Sequence, residues 1–183
     1  MKLYKTLGRG GVSCNGGGGR WFLPKAGKPG KWMPPIEGKL TPCINGYHLC
    51  RFENLLDWLS EEIYEAEGRG DQVECEDKIV FSEARLIRKA KTWNDKTSRL
   101  FAADCAEHVL HIYEKSYPND FRSRNAIRAA RDFANGKINQ QTLTAAWDAA
   151  RDAGWAAVRD AEDVEKKWQL NKLAEYLEEE IRE

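Results

Sequence analysis

Thirteen of the fifteen glycines lie in the first 70 residues, and only Gly136 and Gly154 punctuate the other 113. Five of the six prolines (Pro24, Pro29, Pro34, Pro35, Pro42) share that front section, with Pro118 alone outside it. Glycine and proline are costly in helix interiors and common in turns, whereas the Ala, Glu, Arg and Leu that enrich the rear favour helices. The distribution predicts two architectures in one chain. It gives an α+β fold with a Gly/Pro-rich domain over residues 1–92, a small antiparallel sheet with one helix. This packs on an all-helical bundle of three or four helices over residues 93–183, with Trp93 at the junction.

Charge follows the same division. The chain is formally neutral, yet residues 1–51 hold six Lys and three Arg against the single acid Glu37. The front therefore carries +8 and the remainder −8. The acids crowd towards residues 160–183, and attraction between the two ends of one molecule is the expected outcome. No apolar run approaches the roughly 20 residues that span a bilayer, and no secretory h-region opens the chain. Five cysteines, an odd number, then suit free thiols in a reducing cytoplasm, that of the host cell if a phage encodes the chain.

Along the chain, residues 2–7 read as an edge strand and residues 8–20 as a Gly-rich loop or hairpin around Val12, Ser13 and Cys14. Phe52, Leu55, Leu56 and Leu59 share a helical face over residues 51–62. Residues 63–67 read as a strand ended by Gly68 and Gly70. Residues 78–88 read as a second strand, antiparallel to it across an eight-residue turn. Helix signals dominate from Thr97, with Thr97 or Ser98 capping residues 99–116. A second helix over 121–135 stops at Gly136. Residues 139–183 are helical in pattern, with Leu143, Trp147 and Ala150 on the buried stripe and a bend near Gly154 or Ala161 to Asp163.

Four groups of residues carry candidate chemistry. Asp104, Glu107, His108 and His111 fall on one helical face, with Asp104/His108 and Glu107/His111 at i,i+4. Surface pairing is the expected reading, without metal, because no further ligand set and no HExxH are present. Cys43, His48 and Cys50 form C-x4-H-x-C, but zinc-type CxxC spacing is absent. Cys43 and Cys50 are expected to be small buried hydrophobes, with Tyr47 and His48 packed at a turn. The Gly-rich loop lacks both GK[ST] and a GxGxxG that opens a helix. Its cations and aromatics (Arg9, Arg20, Trp21, Lys28, Lys31, Trp32) suit single-stranded nucleic acid. Finally, Glu65 and Glu67 would lie on one face of a strand.

Two stretches resemble known families. Cys43-Ile-Asn-Gly-Tyr-His-Leu-Cys50, Leu55-Leu56, Ile63-Tyr-Glu-Ala-Glu-Gly68 and Asp77-Lys78-Ile79 resemble a phage-associated domain of unknown function. Its members carry a G-[FY]-H-x-C turn, a short helix and a strand ending E-x-E-x-G. Arg99-Leu-Phe-Ala-Ala-Asp-Cys-Ala-Glu107, Tyr117-Pro-Asn-Asp120 and the run Arg122-x-Arg124-x-Ala-Ile-x-Ala-Ala-Arg131 with Gly136 are similar to the bacterial "putative immunity protein" family of Ala-rich helical proteins. His108, His111 and Ser123 replace that family's Arg, Pro and Pro, so the histidines are peculiar to this chain. The resemblance implies a phage or mobile-element accessory protein with a helical docking surface and no catalytic residues. Asp104, Cys105 and Arg131 serve there in helix packing or in binding.

Three functions are weighed on these grounds. The first is a non-enzymatic protein without cofactor that binds and blocks another protein, a toxin or a host defence component, CRISPR machinery included. The second is an ADP-ribosyltransferase-like enzyme using NAD, with Glu65 and Glu67 on the reactive strand and Tyr4 or His48 lining the nicotinamide pocket. The third is a nucleic-acid-binding module on the basic Gly-rich N-terminus. The first fits the residues best.

Overall fold

The computed structural model describes residues 2–14, 18–151 and 162–177. Backbone contacts divide the chain into two compact units, one built on Met1–Trp93 and one on Asn94–Tyr176. The first holds a four-stranded antiparallel sheet and the second four helices, so the α+β class is as the composition predicts.

The strands β1 (Leu3–Leu7), β2 (Tyr47–Leu49), β3 (Glu62–Glu74) and β4 (Ile79–Lys89) are ordered β1-β3-β4-β2. β1 is the predicted edge strand. β2 was hidden in a stretch that reads as a turn. β3 does not end at Gly68 and Gly70 but runs through both, leaving a tight turn closed by Cys75 N–H to Lys78 O at 2.8 Å. The glycines do work inside the strand. The Phe81 ring lies flat against Gly68, where a Cβ would collide with it. Gly70, at φ +78, sits in the register shift between Arg69 and Gln72, since a bulge often needs a left-handed residue. The predicted helix over 51–62 shrinks to a 3₁₀ segment, Phe52–Trp58, which buries Leu55.

Both edges of this small sheet are covered. Tyr4 N–H donates to Cys50 O at 2.8 Å and Cys50 N–H returns a bond to Tyr4 O at 3.0 Å, so the β1 and β2 edges meet. Beyond β2, the chain around Pro34 and Pro35 lies along β4. Gly30, Met33 and Ile36 donate to Leu86, Ala84 and Ser82 at 2.8–2.9 Å. Bonding at every third residue is what a proline-rich extended segment can offer a strand. One face buries Leu3, Leu7, Trp21, Leu49, Tyr64 and Phe81. The alternate side chains Tyr4, Ile63 and Val80 are buried as well, with Phe52 of the 3₁₀ segment edge-on to Tyr4 at 6.0 Å.

In the second unit α1 is Asp95–Ser116, α2 Arg122–Ala134, α3 Gln140–Arg151 and α4 Glu162–Leu177. Asn94, rather than Thr97 or Ser98, caps α1. Its Oδ1 accepts from Lys96 and Thr97 N–H, while Thr97 Oγ1 accepts the Asn94 N–H at 2.9 Å. Thr97 is the far corner of that capping box. The first N–H of α2 bonds Asp120, and Gly136 at φ +71 follows its end. Ala103, Ala130 and Leu143 form a core flanked by Ile127, Phe133 and Ile138, the close approach that alanines permit. Trp147 departs from the predicted buried stripe: it is 53 % exposed. Of the predicted bend, Gly154 and Ala161 lie outside the described residues, and Glu162 and Asp163 begin α4.

Gly68→Ala should destabilise the protein by roughly 1–3 kcal/mol, because the Phe81 ring has to move for a methyl group. Urea unfolding followed by tryptophan fluorescence checks this. An unchanged midpoint would show that the ring shifts freely.

Candidate functional site

The helical cluster is assembled across helices, not along one. Neither predicted i,i+4 pair forms. Asp104 Oδ1 pairs with Arg131 Nη1 at 2.7 Å, and its Oδ2 accepts the Tyr176 hydroxyl at 2.7 Å. Glu107 forms a close ion pair with the other terminal nitrogen of Arg131. His108 Nδ1 meets Glu165 at 2.7 Å, and its ring stacks on Trp168 at 3.8 Å and 11°. His111 Nδ1 stays on its own helix, 3.0 Å from His108 O. The result is a polar seam joining α1, α2 and α4. Burial, then Glu165 and Asp104, push the Cys105 thiol up to about 12. Burial, then Asp104, also raise the Tyr176 phenol. Both groups are thereby held protonated. Sequence reasoning brought out Arg131 through the family resemblance and placed Trp168 and Tyr176 on the apolar helical stripe, but it gave no sign of Glu165 or of the α4–α1 pairings, which span 57 to 72 positions.

In the sheet unit the Glu65 and Glu67 carboxylates face arginines across the hairpin. Glu65 bonds Arg88 at 2.6 Å and Glu67 pairs closely with Arg85. Arg69 and Glu83 add a third rung at 2.6 Å. Trp32 lies over two of these guanidiniums, 4.0 Å from Arg69 and 4.6 Å from Arg85. Tyr4 lines no opening. It is 3 % exposed, and burial followed by Glu65 pushes its phenol up to about 12. His48 Nε2 accepts the Cys43 N–H at 2.8 Å, and burial, then Lys5 and Lys78, lower its pKa. Cys50 is buried as predicted. Cys43 is not: it is exposed, with φ +64. Its amide is held by His48, and its thiol lies within reach of the Lys78 ammonium. Among the described residues no group of three or more His, Cys, Asp and Glu is placed to hold a metal ion.

Two amides of the Gly-rich loop reach the chain's own carboxylates. Arg9 N–H donates to Glu61 at 2.9 Å, and Arg9 Nε pairs with the same side chain at 3.1 Å. Gly11 N–H reaches Glu62 at 3.3 Å, where the Tyr64 hydroxyl and Lys89 ammonium also donate at 2.8 and 2.6 Å. Burial opposes ionisation of Glu62, but the Lys89, Tyr64 and Gly11 hydrogen bonds outweigh it and hold its pKa below the ordinary value. Trp21, read from sequence as a base-stacking platform, is 5 % exposed and packs edge-on to Tyr47 at 5.5 Å. Arg20, Lys28 and Lys31 are exposed, and so is Phe22, at 45 %, which sequence reasoning passed over.

Comparison with known proteins bears on the second unit. Residues 88–174 match the family described as "Imm-5 like putative immunity protein". No curated protein and no solved structure matches the chain. The immunity-family segment starts near the end of β4 and takes in α1, α2, α3 and most of α4. Asp104, Glu107, His108, Arg131, Glu165 and Trp168 all fall within it, while Tyr176 lies two positions past its end. The Gly/Pro-rich section is outside it. No helix among the described residues is long and apolar enough to cross a membrane.

Two measurements follow from these networks. Arg131→Met strands the Asp104 and Glu107 carboxylates beside each other and should cost roughly 1–3 kcal/mol. Arg124→Met removes only an exposed pair with Glu114 and should cost about 0.5 kcal/mol or less. Equal unfolding midpoints for the two variants would contradict the seam's role. Glu62 contributes stability that is fully present above its ordinary pKa of 4.5 and is lost as the pH falls through its lower folded value. The Glu62→Gln protein should therefore show a shallower loss of stability on acidification below about pH 4.5.

Proposed function

We propose that the protein is an immunity-type binding protein that neutralises another protein by docking on it. The match of residues 88–174 to the immunity family carries this reading. The partner is a toxin or a host defence component. In our reading the gene belongs to a phage or other mobile element, the protein works in the host cytoplasm, and blocking CRISPR machinery is one form its action can take. The chemistry of the candidate residues supports docking over turnover. The carboxylates that would serve as acids or bases, Glu65, Glu67, Asp104 and Glu107, are each engaged by an arginine. Exposed Tyr117, Phe121 and Trp147 on the helical unit are the residue types that anchor protein interfaces.

The test is reconstitution. The full chain, used as bait in its native host, should retain one protein in stoichiometric amount. That protein, co-expressed, should give a complex stable on gel filtration, and its toxicity or defence activity should fall when the complex forms. Binding of NAD by the free chain with no stoichiometric protein partner would reject docking in favour of an NAD-using enzyme.

A further inference from the structure

Five of the six arginines in residues 1–93 pair with carboxylates, and the sixth, Arg20, opens a basic stretch that does not. Arg9, Arg51, Arg69, Arg85, Arg88 and Lys89 each sit within 4 Å of a carboxylate. Between residues 20 and 39 the pattern stops. Arg20, Lys25, Lys28, Lys31 and Lys39 are all exposed and, among the described residues, none has a carboxylate partner. The single acid there, Glu37, is exposed and in no ion pair among the described residues.

The backbone makes this harder to explain as chance solvation. Lys25 and Lys28 exchange both backbone hydrogen bonds, at 3.1 and 2.9 Å, around Ala26 at φ +50 and Gly27 at φ +74. Positive φ at both central residues is a type I′ turn, which favours Asn-Gly and strains an alanine. The turn places two lysines directly opposite, and like charges in that position repel. An anion bound between them turns that repulsion into attraction. Phe22 stands close by, 45 % exposed, with Gly30 packed directly against its backbone carbonyl so that no side chain fits between.

We propose that residues 20–39 are a binding site for single-stranded nucleic acid, in which Arg20, Lys25, Lys28 and Lys31 contact phosphates and Phe22 stacks on a base. Arg9, Trp21 and Trp32 drop out of the basic set read from the sequence, because Glu61, the core and two arginines already occupy them. Lysine-rich, flexible cations with one exposed ring match a phosphate backbone better than a protein face, where lysine is depleted. A duplex offers Phe22 no unstacked base. This site lies outside the immunity-family segment, so it stands or falls separately from the docking reading.

The experiment is fluorescence anisotropy of the full chain with labelled oligothymidylate and oligouridylate of about 20 nucleotides. Four phosphate contacts on a single strand give a log–log salt slope of about −2.8, so affinity should fall about fifty-fold between roughly 50 and 200 mM salt. Lys25→Gln with Lys28→Gln should flatten the slope by about 1.4. Phe22→Ala should weaken binding about ten-fold at every salt concentration without changing the slope. Circular dichroism shows that each variant folds, and Phe22→Leu replaces Phe22→Ala if the latter does not. Absence of binding at the lowest salt overturns the proposal. So does equal affinity for a duplex, displacement of the oligonucleotide by polyglutamate at equal charge, or variants that bind like the parent.

Discussion

The reciprocal hydrogen bonds between Tyr4 and Cys50 hold the first unit together as a closed object. Four strands leave two open edges, and open edges leave unpaired amides that recruit other chains. Here β1 and the residue after β2 join, and a proline-bearing segment takes the stretch of β4 that β2 is too short to reach. Closure encloses the face that carries Leu3, Leu7 and Tyr64, while the 3₁₀ segment packs Phe52 on Tyr4 of the other face. It also positions the first residues after β1: Glu61 and Glu62, at the start of β3, receive the Arg9 and Gly11 amides because β1 lies beside β3 in that register.

The second unit is governed differently. Its interior mixes small alanines with Phe101, Leu110, Tyr113, Leu143 and Leu173, and the polar seam adds directional contacts to that packing. Arg131 bridges Asp104 and Glu107, and Tyr176 and Glu165 bring α4 onto α1. The side chains that fix the helices are engaged with one another, while the aromatics Phe121 and Trp147 stay exposed.

Much of the fold was legible because glycine and proline distribution is a backbone property. The two-part division, the edge strand β1, the β3–β4 pairing and the helices α1 to α3 all follow from it. The failures have physical reasons. Gly68 and Gly70 looked like strand ends because sequence cannot show an aromatic ring pressed on one glycine and a bulge at the other. β2 is three residues long, too short for any periodicity. Asn94 was overlooked as a cap because Thr97 and Ser98 satisfy the same rule three and four residues later. At the candidate site, i,i+4 spacing assigned Asp104 to His108. It could not weigh Arg131, whose longer reach from α2 and permanent charge win the carboxylate.

The five thiols are unequal in a way that matters wherever an oxidant reaches the protein. Burial keeps Cys50 and Cys105 with pKa values near 12, and Cys14 donates its S–H to the Thr6 carbonyl at 3.5 Å. Cys43 stands in solvent on a strained turn at the rim of the sheet. Air will therefore find it first, and two molecules bridged there would mimic a native dimer on a sizing column. The same exposed position offers a handle for a maleimide dye or a cross-linker, attached at the expense of the thiol's contact with Lys78.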